Sequence, residues 1–174
     1  MAGKKLKTFQ YYGYGIIQIL IEPKRFFTEL PENASMVKSF GFLILCGLFF
    51  TGASILTGNH GDPVRTGVLL FFSSVGMAFV STCVSYMIMM ISIGRKTGFV
   101  IIFSVHAFSA GIILLISWVS FFFWVAEIWK WWLVYAGFRN AGRLSGAPAG
   151  LILFMTMAAH SFLFFYFLPV FFKL

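Results

Sequence analysis

Hydrophobic residues along this chain run in long blocks, cut by short polar breaks, and do not alternate or recur on one narrow helical face. After a mixed stretch ending near residue 36, apolar blocks cover Met36–Leu56, Thr66–Ile91, Phe99–Phe138 and Ala149–Phe171. The breaks are the polar loop Thr57–Pro63, a tight loop Ser92–Gly98 with Arg95 and Lys96, and the glycine-rich loop Arg139–Pro148. A helix needs roughly 20 apolar residues to cross a bilayer, so three blocks read as one span each. The block Phe99–Phe138, about 40 residues at ~1.5 Å per residue, would be about twice the ~30 Å hydrocarbon thickness. It must fold back, and the serines place the reversal near Ser117–Ser120. That predicts a third span over Phe99–Ser117 and a fourth over Phe121–Phe138. The expected fold is all-α: a polytopic membrane bundle of about five transmembrane helices, residues 37–174, behind an N-terminal segment of residues 1–36.

The N-terminal segment is mixed. Gly13 and Gly15 interrupt Phe9–Leu20, which leaves that stretch ambiguous. Pro23 suits the first turn of a short helix over Pro23–Leu30, which Pro31 is expected to stop. Phe26, Phe27 and Leu30 share one face of it, while Lys24 and Glu29 point elsewhere. Such an amphipathic helix either lies in the headgroup plane or packs on the cytoplasmic face of the bundle. Asn33 or Ser35 can cap the first span.

Composition strengthens the membrane reading. Of 174 residues 60% are hydrophobic and 10% charged, against roughly 25% charged in soluble domains. A soluble protein of this size could not hide that much apolar surface. The net charge of +8 is uneven. Lys4, Lys5, Lys7, Lys24, Arg25 and Lys38 precede or open the first span; Lys4, Lys5, Lys7, Lys24 and Arg25 form a basic membrane-surface set. With the N-terminus inside, these residues, Arg95, Lys96, Arg139 and Arg143 all fall on the cytoplasmic side, and only Arg65 and Lys173 fall outside. The positive-inside rule therefore predicts a cytoplasmic N-terminus, an outside C-terminus and an odd number of crossings. Attraction to anionic headgroups accounts for the basic balance better than nucleic acid does. Cys46 and Cys83 lie inside apolar blocks, with no disulfide framework or metal spacing. No cleavable signal peptide is apparent.

Four ionisable side chains fall at membrane depth: His106, Glu127, Lys130 and His160. Buried charge is costly in a bilayer, so each is a functional candidate. Glu127 and Lys130, three residues apart, can pair on one helix face. Thr156 precedes His160 by a turn, and Ser104 and Ser109 bracket His106. One reading is a polar cluster serving as a proton or ion relay or as a headgroup pocket. The other is structural: the Glu–Lys pair neutralises itself, and each histidine makes one interhelical hydrogen bond. Small residues form stripes, Ser74, Ala78, Ser81 and Ser85 in the second span and Ser104, Ala107 and Gly111 in the third. These suit close helix packing more than a pore lining. The tryptophans around the fourth span suit interface anchoring. No Walker loop, zinc-protease helix or nucleophile elbow occurs, and no cofactor site is expected.

Several segments carry a family likeness. Ile21-Glu-Pro-Lys-Arg-Phe-Phe-Thr-Glu-Leu30 is followed by Ser35 and a span. Phe103-Ser-Val-His-Ala-Phe-Ser-Ala110 opens the third span. Ile128-Trp-Lys-Trp-Trp-Leu-Val-Tyr-Ala-Gly-Phe-Arg139 and Leu144-Ser-Gly-Ala-Pro148 form the fourth span and its exit. Over nearly the whole chain these resemble the Yip (Ypt-interacting protein) membrane domain in its short bacterial form. Gly111 stands where that family usually has a proline. The resemblance implies a five-span bundle in a bacterial inner membrane, without catalytic residues. It implies an accessory or assembly factor for a membrane transport or trafficking complex, with a membrane-protein partner or a second copy, and lipids, as its contacts. The alternative is a small transporter or lipid-handling protein that uses the four polar residues in one cavity.

Overall fold

A computed structural model describes residues 8–58, 61–94 and 96–172. Among the described residues the chain forms seven α-helices and no strand. They are α1 (Thr8–Ile21), α2 (Pro23–Asn33), α3 (Met36–Thr57), α4 (Pro63–Ile93), α5 (Phe99–Leu114), α6 (Phe123–Asn140) and α7 (Gly146–Phe172). Three are long and apolar enough to cross a membrane: α3, α4, and α7 over Gly146–Leu163.

The helix ends follow local chemistry. α4 starts three residues earlier than its apolar block because Asp62 caps it, accepting from the Arg65 N–H at 3.1 Å, with Pro63 in the first turn. It stops at Gly94, whose φ of 69° favours glycine. The apolar stretch Phe99–Phe138 does fold back. α5 ends at Leu114, a 3-10 turn forms at Ser120–Phe122, and α6 begins at Phe123. The hydroxyl of Ser117 donates to Ile113 O at 2.8 Å and helps close α5.

Two hydrogen bonds fix which ends of the bundle lie together. Ser39, in the first turn of α3, donates to Ser104 near the start of α5 at 2.7 Å. Thr97, just before α5, donates to Gly142 O, just after α6, at 2.7 Å. The start of α3, the α4–α5 loop and the α6–α7 loop therefore share one end. Lys38, Lys96, Arg139 and Arg143 are at that end.

α5 is the centre of the molecule. Every residue from Ile102 to Ser109 is buried. Helices α2, α3, α4 and α6 pack around α5, and α7 packs across α4 and α6. Close approach needs small residues. A Cβ on Gly111 would stand 2.5 Å from Phe42 Cε1 of α3, and one on Gly137 of α6 would collide with Val105. The third-span stripe is thus a packing seam, as read from sequence.

The N-terminal segment resolves two open readings and corrects one expectation, the stop at Pro31. Thr8–Ile21 is one continuous helix despite Gly13 and Gly15. Packing outweighs the cost of about 1 kcal/mol per glycine: Tyr11 meets Phe108, Tyr12 meets Phe42, and Ile19 is fully buried. Pro31 does not stop α2, which runs to Asn33; so near the end its missing N–H deprives only the Phe27 carbonyl. Phe26, Phe27 and Leu30 face the protein interior, with Phe26 edge-on to Phe108 at 5.1 Å. The apolar face of α2 is therefore covered by the bundle itself. α1 instead presents Tyr14, Ile17 and Ile21 outward.

Of the basic surface set, Lys4, Lys5 and Lys7 lie outside the described residues. Lys24 is exposed. Arg25 is held by Glu22 at 3.2 Å and Glu29 at 3.0 Å. Gln18 donates to Glu29 at 3.2 Å and ties α1 to α2.

Candidate functional site

α4 carries the scaffold of the site. Ser81 and Ser85 are one turn apart on its inward face, and each holds a histidine from a different helix. Ser85 Oγ lies 2.8 Å from His106 Nε2 of α5. Ser81 Oγ lies 2.8 Å from His160 Nδ1 of α7. Thr156, one turn before His160, lies 3.0 Å from Ser85.

Proton accounting orients the inner rung. Thr156 donates its only hydroxyl proton to Ile152 O at 2.7 Å, so it accepts from Ser85. Ser85 then has no proton left, and His106 must donate through Nε2. In a neutral imidazole this leaves Nδ1 as an acceptor. Phe138 packs edge-on against the His106 ring at 5.7 Å.

The outer rung belongs to α6. Lys130 Nζ lies 2.7 Å and 2.6 Å from the two carboxylate oxygens of Glu127. It also sits 4.8 Å from the centroid of Trp131, whose ring is perpendicular to His160 at 5.4 Å. The resulting order is His106 and Thr156 on Ser85, then His160 on Ser81, then Trp131, Lys130 and Glu127.

His106, Glu127, Lys130 and His160 all line one half-open cavity of about 260 Å³. It lies between α4, α5, α6 and α7. Toward the basic end of the bundle, Met89, Leu133, Phe138 and Ile152 are buried and do not line it. Toward the other end its walls are Leu70, Ser73 and Ser74 of α4 and Ser117 beyond α5. Its lining therefore extends from mid-bundle toward the end away from the basic loops. Counting rise from the helix ends, His106, Ser85 and Lys130 lie about 10–15 Å from the basic end, near the middle of a ~30 Å layer.

The four ionisable candidates thus converge. Ser104 and Ser109 do not join them: Ser104 faces α3, and Ser109 Oγ is buried without a hydrogen-bond partner among the described residues. The stripe on α4 is both packing seam and cavity wall. Ser81 and Ser85 are the site residues that the polar reading left out. Their spacing of one turn, matching the spacing from Thr156 to His160, was the available signal. Among the described residues no cluster of metal-ligating side chains occurs.

No family model matches the chain, and neither a curated protein nor a solved structure matches it. The likeness to the Yip domain therefore rests on the quoted motifs alone.

Proposed function

We propose that the chain is a five-span membrane protein that takes the polar part of a lipid or small solute into a mid-membrane cavity. The observation that carries this reading is the convergence of His106, Glu127, Lys130 and His160, from three helices, on one half-open cavity. Ionisable groups at that depth are costly unless they serve a pathway or a binding site.

Five crossings are supported as follows. α5 and α6, at roughly 1.5 Å per residue, extend about 24 and 27 Å. α5 is short for a span, but it is surrounded by protein rather than lipid. The Thr97–Gly142 bond brings the start of α5 and the end of α6 to one end, so the pair goes out and back. Since the basic loops gather at that end, the positive-inside rule makes it cytoplasmic, in a bacterial inner membrane. The amphipathic element facing headgroups is then α1, through Tyr14, Ile17 and Ile21, more than α2. Single cysteines in the 140–145 and 61–62 loops test the orientation. The first should react with an impermeant maleimide only from the cytoplasmic side and the second only from outside; the reverse pattern rejects it.

The function is tested with Ser73→Cys in a background lacking Cys46 and Cys83. A water-soluble maleimide should reach it in detergent-solubilised protein, and added lipid or solute should slow the reaction. No reaction, or no protection by any lipid or solute, rejects the cavity as a binding site.

The accessory reading implied by the Yip resemblance is second. The exposed face of α6, with Trp124, Ile128, Trp129 and Trp132, favours it. The stripe on α4 is used within the chain and does not support it. A mild-detergent pull-down at native expression that recovers only this protein would remove it.

A further inference from the structure

The hydrogen-bonding inventory of the cavity narrows what it can hold. Ser74 donates to Phe71 O at 2.9 Å, and Ser117 donates to Ile113 O at 2.8 Å. Each has one hydroxyl proton, so both offer only acceptor lone pairs to the cavity. His106 donates to Ser85 and keeps an acceptor at Nδ1. A carboxylate has about four acceptor positions. Lys130 uses both Glu127 oxygens but only part of that capacity. Glu127 is also the more open partner, 31% exposed against 13% for Lys130. Among these groups acceptors outnumber donors; Ser73 and Trp131, also on the wall, add one neutral donor each, and Lys130 is the cationic donor.

Charge gives a second constraint. Among the described residues Glu127 and Lys130 are the only carboxylate and ammonium on the wall, and they cancel. A guest with net charge would leave that charge uncompensated at low dielectric, which is strongly unfavourable. A guest with both signs can lie antiparallel to the pair and keep the cavity neutral. Size gives a third. About 260 Å³ lies just below the roughly 300–1,000 Å³ of drug-sized pockets. That suits a small polar group, with any acyl chains left in the surrounding lipid.

We propose that the cavity selects a net-neutral zwitterion whose positive end is a primary ammonium. Its N–H groups take acceptors on the wall, Glu127 foremost, and its anionic end takes the Lys130 ammonium. The inference rests on the cavity-binding reading above. The shared chemistry has two sources: an aminophospholipid headgroup of the phosphoethanolamine type, or a free solute of the same kind. A quaternary ammonium has no N–H to give, so a choline headgroup is disfavoured. An anionic glycerol headgroup breaks neutrality.

The test uses the full-length protein in detergent. Retention of phosphatidylethanolamine, phosphatidylcholine and phosphatidylglycerol is compared by native mass spectrometry. Free glycerophosphoethanolamine and glycerophosphocholine, phosphodiesters with no net charge, serve as competitors. Phosphatidylethanolamine should exceed both other lipids by about tenfold, since a site built for N–H groups rejects analogues lacking them. If the free ethanolamine compound fails to displace it, the lipid is the source; if glycerophosphoethanolamine binds and displaces while glycerophosphocholine does not, the free solute is. Either result upholds the selectivity. Equal retention of the choline lipid, or preference for the glycerol lipid, overturns it. Glu127→Gln should erase the ethanolamine preference, and its persistence would also overturn the proposal. The wild-type comparison decides the matter even if that variant folds poorly. Protection of Ser73→Cys by all lipids alike would leave the cavity reading standing while this selectivity fails.

Discussion

Ser85 of α4 receives the Nε2 proton of His106 of α5 at 2.8 Å, and it can do so only because Thr156 of α7 takes the proton of Ser85 in turn. Three helices are joined at one hydroxyl. Ser85→Ala leaves a buried N–H without a partner, so stability should fall by about 1–2 kcal/mol. Ser81→Ala should cost less, because His160 is only half-buried. Thermal unfolding in a fixed detergent ranks the two, and equal losses would reject this ordering.

The Glu127–Lys130 pair should behave as a unit. Removing one partner strands the other charge in a poorly solvated site; each single variant, Glu127→Gln or Lys130→Met, should lose about 1–3 kcal/mol. The double variant should recover much of that loss, because no uncompensated charge remains. A double-mutant cycle by chemical unfolding measures it, and additive losses would speak against the coupling.

Two glycines should respond oppositely to alanine. Gly111→Ala drives a methyl into Phe42 and should cost about 1–3 kcal/mol through overpacking. Gly13 has open space around its Cβ position and sits inside α1, so Gly13→Ala should be neutral or gain up to about 1 kcal/mol. The difference in unfolding midpoint between the two variants is the readout.

The α1–α2 pair should loosen in acid. The Gln18 hydrogen bond, then Arg25, hold the Glu29 carboxyl below its ordinary range. A depressed carboxylate contributes stability above its unfolded pKa, and that contribution is lost as pH falls through the folded value. Hydrogen exchange in α2 should therefore rise as pH drops below about 4.3, the ordinary glutamate value, once corrected for intrinsic rates. Glu29→Gln should flatten that dependence, and an unchanged profile would count against it.

Much of this architecture was legible because lipid imposes simple rules. The length of Phe99–Phe138 forced a reversal, and the structure places it at residues 115–122. Convergence of the four polar residues could be posed but not decided, since it depends on helix rotation, which apolar blocks with no clear amphipathic face do not encode. The N-terminal segment misled for a related reason. Gly13, Gly15 and Pro31 carry local penalties of about 1–3 kcal/mol, and packing of the half-buried Tyr11 with burial of Ile19, Phe27 and Leu30 overrides them. An amphipathic face tells that α2 must cover something. It does not tell whether lipid or Phe108 lies beneath.

The burial of α5 bears on how the chain is made. α5 has only 16 residues, and α6 carries Glu127, Lys130 and Arg139, so neither is a strong insertion signal alone. α3 and α4 leave the ribosome first and offer Ser39 and Ser85 as a ready-made berth for α5. The translocon should then release α5 and α6 as one hairpin rather than as two successive stops. A glycosylation reporter fused after residue 118 should therefore report mixed topologies, whereas one fused after residue 144 should report a single topology. Uniform insertion of both fusions would show that α5 needs no escort.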